Sequence, residues 1–241
     1  MTTKGFFRGG GRPPLSAGQG FTLAEVLITL GIIGVVAALT MPSLIANHKK
    51  KEIITKLKRQ YSVFLQVIKR SEADNGDIAD WDWSQSVELF TETYILPYLQ
   101  ISKNCSTTGT DCWLPDNKAY GLHGSRIEDY SRTNYYTAVL NDGTSLVFLK
   151  QSGPHHFHIT VDINGAKPPN KFGIDTFAMT LVQDKLIENN LNNVEQPGFY
   201  FQGSGLPYET LLSNCSTSDG ILCGALYQHD GWEISPDVKW K

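Results

Sequence analysis

Gly20-Phe21-Thr22-Leu23-Ala24-Glu25-Val26-Leu27-Ile28-Thr29-Leu30-Gly31-Ile32-Ile33-Gly34-Val35-Val36-Ala37-Ala38-Leu39-Thr40-Met41-Pro42-Ser43-Leu44 carries one charge, Glu25, in an apolar run that continues to Asn47. The run exceeds the ~20 residues that span a bilayer as a helix. A carboxylate near the hydrocarbon core costs about 2.5–3.5 kcal/mol on insertion scales, so Glu25 calls for a partner. A cut after the small residue Gly20 gives Phe21 a free α-amine, and the Glu25 of a neighbouring copy can neutralise it. The run therefore reads as an assembly element as well as an anchor.

Upstream, residues 1–20 are basic and rich in Gly and Pro, with Lys4, Arg8 and Arg12 and no acid. In a secretory signal peptide the apolar region precedes the cleavage site. Here the order is reversed, so a cut after Gly20 keeps the hydrophobic segment. Gly31 and Gly34 are three residues apart, which is not the Gly-xxx-Gly dimer spacing. Pro42 has no N–H to donate; the two outcomes are a kink within the helix or its end.

Downstream, Ile53, Leu57, Tyr61, Phe64, Leu65 and Ile68 recur at spacings of three and four, with Lys51, Lys56, Lys58, Arg59 and Lys69 mostly between them. This periodicity predicts an amphipathic helix that continues out of the membrane. Ser71 to Asp77, with Asn75-Gly76, predicts its end. The whole helix would run about fifty residues, or roughly 75–80 Å. Lys49, Lys50 and Lys51 follow the apolar run as a snorkelling, solvated collar, with contact to anionic lipid or a partner as the alternative.

The remainder, 75–241, is long enough for one compact domain, and an aromatic content of 11% with 19% charged residues suits a sizeable core. The formal net charge is −3, and loss of the basic leader makes the product more acidic. That balance argues against general nucleic-acid binding. Cys105, Cys112, Cys215 and Cys223 are two close pairs, neither of them Cys-x-x-Cys, so zinc and thioredoxin-like readings are weak. An even count behind an export segment predicts disulfides in an oxidising compartment. Three connectivities are possible; local pairing is favoured. Positive charges flank both ends of the apolar run, so the cysteines decide the orientation, with the head on the oxidising side.

The expected architecture of the head is α+β. Asp82 or Ser84 is expected to cap a short helix through Val87, Phe90 and Tyr94 that ends before Pro97. Tyr135–Leu140 and Thr144–Leu149 flank Asn141-Asp142-Gly143, a hairpin signal. Phe157–Val161 and Thr176–Val182 read as strands, with Asn164-Gly165 a turn after the first. The C-terminal third reads as loop-rich.

Residues 20–44 resemble the N-terminus of type IV prepilins and type II secretion pseudopilins: a basic leader, Gly before the cut, Phe after it, Glu at the fifth mature position and Pro at the twenty-second. The resemblance implies a pilin-like fold, a long N-terminal helix packed on a head with a small antiparallel sheet. It implies a leader (1–20) removed after Gly20 by a prepilin peptidase, N-methylation of Phe21, and a long helix (21–74) with its transmembrane segment at 21–46. It also implies assembly with itself and other pilin-like subunits, on an inner-membrane platform driven by a motor ATPase. The protein would sit in the bacterial inner membrane with its head on the periplasmic side, then in a filament. Val161-Asp162-Ile163-Asn164-Gly165 with Pro169-Asn170, Gly173 and Asp175 is similar to a segment of many pilin-like proteins.

Within the head, Asp162, Asn164, Asn170 and Asp175 offer oxygen ligands for calcium, but an Asx-type turn is the expected arrangement. His155, His156 and His158 enter a strand, where exposed positions are expected rather than a metal site. Trp81, Trp83, Trp113, Trp232 and Trp240 are expected to be structural rather than sugar-binding. No catalytic triad and no phosphate loop assembles from the sequence, and no cofactor is expected. The leading function is a structural filament subunit. A tip adhesin or DNA-uptake minor pilin is the second reading, and a membrane-anchored exported enzyme the third.

Overall fold

The computed structural model describes residues 20–108, 111–113, 116–124, 127–131, 134–150, 156–188, 192–238 and 240. Leader residues 1–19 and His155 lie outside them. The chain divides into two compact units, at Asn47/His48.

Helix α1 spans Leu23–Asn75 and includes Pro42, so Pro42 does not end it. In the first unit its apolar side chains, among them Leu27, Ile32, Val35, Leu39 and Leu44, are exposed. By length and composition the helix can cross a membrane, with a mean hydropathy of 2.3 in its apolar window. Gly76, at φ +84°, stops it as the left-handed residue past the helix end, its N–H bonded to Glu72 O at 3.0 Å.

In the second unit the rest of α1 turns Ile53, Leu57, Phe64, Val67 and Ile68 into the core. Burying side chains such as Leu57 and Phe64 contributes about 1.5–3 kcal/mol each. Two positions depart from the expected stripe. Leu65 is 40% exposed, because Phe64 takes the core-facing place beside it. Gln60 is buried, and its Nε2 donates to Asp142 Oδ2 at 2.8 Å and to Thr144 Oγ1 at 2.9 Å.

The head is α+β around a six-stranded antiparallel sheet. Its strands are β1 (Ile101–Ser106), β4 (Tyr135–Leu140), β5 (Ser145–Leu149), β6 (His156–Asp162), β7 (Thr176–Val182) and β10 (Gly198–Phe201), in the order β1-β4-β5-β6-β7-β10. Two further hairpins are β2 (Lys118–Tyr120) with β3 (Ile127–Asp129), and β8 (Leu186–Glu188) with β9 (Asn192–Val194). Alternation along β6 sets the two faces of the sheet: Phe157, Ile159 and Val161 lie opposite Leu181, Met179 and Phe177 in register. Phe199 and Phe201 continue this face, where Tyr61 stacks on both at ring distances of 5.5 and 4.9 Å.

Helix α2 (Val87–Tyr94) is capped by Ser86, whose Oγ accepts from Leu89 N, rather than by Asp82 or Ser84. Asp82 is occupied instead by the N–H and hydroxyl of Ser84. The C-terminal third is more regular than expected: it holds β10, α3 (Tyr208–Thr217) and α4 (Cys223–His229). Cys215 bonds Cys223 to join α3 to α4, and Cys105 bonds Cys112 beside the edge strand β1.

The two turns the sequence marks are packed on each other. Gly165 has φ +64°, and a Cβ there would lie 2.1 Å from Gly143 O. Only glycine fits this contact between the β4–β5 hairpin and the turn after β6.

Candidate functional site

The first turn of α1 is built by a reciprocal pair. Glu25 N donates to Thr22 Oγ1 at 3.2 Å, while Thr22 N and Thr22 Oγ1 both donate to Glu25 Oε2 at 2.8 Å. This is a capping box, with Thr22 as the N-cap and Glu25 three residues on, satisfying donors that a helix start leaves open. The tetrapeptide Thr22-Leu23-Ala24-Glu25 spells that box, a signal missed when Glu25 is read only as an isolated charge. Both Thr22 donors converge on Oε2; Oε1 accepts no hydrogen bond among the described residues. Gly20 and Phe21 precede the helix, with Phe21 87% exposed. Gly20, Phe21 and Glu25 thus fall within one exposed helix start, followed by a helix whose apolar surface is unburied to Ala46.

In the head, Asp162, Asn164, Asn170 and Asp175 come together, and N–H donors serve the carboxylates. Asp162 Oδ1 accepts from Asn164 N and Gly165 N, both at 2.9 Å. Asp175 accepts from Asn170 N, Lys171 N and Asn164 Nδ2. This is the Asx-type turn, closed on itself by a second carboxylate. Burial, with the Asp175 charge adding to it, pushes the Asp162 carboxyl up to about 8. Burial also raises Asp175, against the N–H groups of Lys171 and Asn170 that favour its charged form. Among the described residues no group of three or more His, Cys, Asp or Glu is placed to hold a metal ion.

His156 and His158 share a face, their rings 4.8 Å apart. The expectation that they are exposed is corrected: His156 is buried and His158 half-buried, because the polar face of the sheet is covered too. Tyr130, Phe172 and Ile221 line a small cavity of about 180 Å³ there with His158. Trp81, Trp83 and Trp113 are core residues. Trp81 Nε1 and Trp83 Nε1 donate to Gly76 O and Ile78 O, which fixes the corner after α1. Trp232 and Trp240 are half-buried at the other end of this unit, against Lys58 and Lys50.

An open groove of about 450 Å³ runs between Arg59, Val63 and Arg70 of α1 and Tyr98, Asn141 and Asp142. Its lining is polar and carries both signs of charge, with Arg59 and Arg70 against Asp142.

The prokaryotic N-terminal methylation motif matches residues 16–41. No curated protein and no solved structure matches the chain. The chain is type IV prepilin- or pseudopilin-like at its N-terminus, and through a match over residues 43–241 it belongs to the Family of unknown function (DUF6613).

Proposed function

We propose that this chain is a structural subunit of a type IV pilus or a type II secretion pseudopilus. It is stored in the inner membrane with its head on the periplasmic side, cut after Gly20, methylated on the Phe21 nitrogen, and polymerised through α1. The observation that carries the reading is the state of Glu25: its Oε2 is held by Thr22 at the start of an exposed apolar helix. A free, cationic Phe21 amine at a helix N-terminus sits at the positive end of the helix dipole, which is unfavourable. A carboxylate in the same turn offsets that, and Oε1 can take the amine of an adjacent subunit while Oε2 keeps the cap. Pairing of this kind selects one axial stagger between helices. Register selection, rather than net stability, is the best-attested use of a buried ion pair.

The test is the ratio of sheared-filament to membrane-pool protein. Glu25→Ala should insert in the membrane and be cut after Gly20, but should enter filaments far less than wild type. Incorporation of Glu25→Ala at the wild-type ratio would refute the charge-register mechanism.

A further inference from the structure

The lysines after the apolar run are not spread along an ordinary solvated helix. They lie around α1 just beyond Asn47 and meet the C-terminal segment of the head. Lys51 and Lys58, seven residues apart, share one flank of the helix; Lys49 and Lys56, also seven apart, share the other. Lys50 lies on the core side, its Nζ 5.6 Å from the centre of the Trp240 ring, and Lys58 Nζ lies 5.7 Å from that of Trp232. Both are cation–π distances. Glu52 is the one acid within the collar. It pairs with Lys56 at 2.9 Å, and that lysine, with His48 and Lys167, holds its carboxyl below the usual range.

The two tryptophans are fixed there by the fold. Trp232 N donates to Tyr227 O at 2.7 Å, and Trp240 Nε1 donates to Tyr227 OH at 3.4 Å. Tyr227 itself is buried, its hydroxyl donating to Gly173 O at 2.8 Å. The C-terminal segment is therefore tied back to the collar, and its indoles stay half-buried rather than entering the core. In sequence, Lys239 and Lys241 flank Trp240.

We propose that Lys49, Lys50, Lys51 and Lys58, with the indoles of Trp232 and Trp240, form one surface that binds anionic phospholipid headgroups where the helix leaves the bilayer. The inference rests on the membrane-stored state proposed above. Three features favour lipid over a second copy of the chain. The collar starts two residues after the apolar run ends, so covalent continuity keeps it near the membrane surface. Along α1, from His48 to Arg59, its charge is of one sign but for Glu52. And it combines ammonium groups with indoles, the pairing that suits the interface, where apolar rings sit at headgroup level and lysines reach phosphate. Bound in this way, the head rests on the membrane until extraction breaks many weak contacts together.

The test uses the full chain reconstituted in vesicles of phosphatidylcholine alone and of phosphatidylcholine mixed with phosphatidylglycerol. Alkaline extraction is used to check that the helix remains inserted. Lysine acylation is read residue by residue by mass spectrometry. In the mixed vesicles labelling of Lys49, Lys51 and Lys58 should fall about fivefold, and added salt should restore it. A lipid spin label at the top of the acyl chains should quench wild-type fluorescence more than that of Trp240→Phe, and only in the mixed vesicles. Equal labelling in both vesicles, with the helix still resistant to alkali, would overturn the proposal and leave the membrane reading standing. Protection that follows protein density rather than phosphatidylglycerol would assign the surface to a second copy, and also overturns it. Release of the chain by alkali would overturn the membrane reading and the lipid surface together.

Discussion

Thr22 and Glu25 cap each other across the first turn of α1, through a 3.2 Å bond to the Thr22 hydroxyl and two 2.8 Å bonds back to Glu25 Oε2. Glu25 therefore has two separable tasks, starting the helix and supplying a charge. Thr22→Ala removes the cap and keeps the charge, at a cost of about 1 kcal/mol to the helix start. Glu25→Gln keeps an acceptor for Thr22 and loses the charge. Hydrogen exchange at residues 22–26 should rise in Thr22→Ala and change little in Glu25→Gln. Filament incorporation should respond in the opposite order, with Glu25→Gln the more defective. Equal filament defects in both variants would mean that helix nucleation, not charge, governs incorporation.

Gln60 is the polar latch between α1 and the β4–β5 hairpin. Asp142 is partly buried, which alone raises its pKa, but the bonds from Thr144 and Gln60 and the Arg59 charge hold it below the usual carboxylate range. Gln60→Ala leaves Thr144 and Asp142 without their buried donor and should cost the head about 1–3 kcal/mol in chemical denaturation of the detergent-solubilised chain. A change within error would show that water replaces the amide fully.

Asp162 gives a pH signature. Its folded pKa, about 8, lies above that of an unfolded aspartate. Folding therefore favours the protonated carboxyl. The contribution is whole below the ordinary aspartate range and is lost as pH rises through about 8. The Tm of the head should fall across that window. Asp162→Asn keeps an oxygen for Asn164 N and Gly165 N, cannot ionise, and should flatten the fall. An unchanged slope in the variant would place the titration elsewhere.

The disulfides Cys105–Cys112 and Cys215–Cys223 close loops with sequence separations of 7 and 8 residues. Loops of this size contribute about 2–3 kcal/mol each in the chain-entropy account. Non-reducing peptide mapping of envelope-purified protein should recover these two pairs and no thiol that alkylates before reduction. Free thiols would remove the argument for an oxidising compartment, and a crossed pair would overturn the local pairing alone.

Much of this fold is legible in the sequence where one signal dominates. The three-and-four spacing of Ile53, Leu57 and Phe64 places the second half of α1, and Gly76 marks its end. Strand-like runs on either side of the Asn-Asp-Gly and Asn-Gly turn signals place β4 to β7. The edges are not legible for a physical reason. Ile101-Ser102-Lys103-Asn104-Cys105-Ser106 has no clean period of two, and β1 pairs with β4 through register shifts at Ile101/Lys103 and Asn104/Ser106. Strand β10 is four residues long and owes its place to Met179 and Leu181 opposite it. Helices α3 and α4 have no side-chain N-cap, and a disulfide rather than a propensity signal joins them. At the site, Glu25 stands out through charge alone. Its partnership with Thr22 needs the helix start to be located, and the Lys–Trp collar needs the C-terminal segment to be brought back by Tyr227.

On the function proposed above, the apolar helix is kept at a processed N-terminus, for assembly. Intact-mass analysis of the membrane-extracted protein decides between retention and loss of the helix. The expected result is a single mature chain that begins at Phe21 and carries one added methyl group on its nitrogen. A mature chain that begins beyond the apolar run, past Asn47, would contradict it, because the element proposed to build the filament would have been removed.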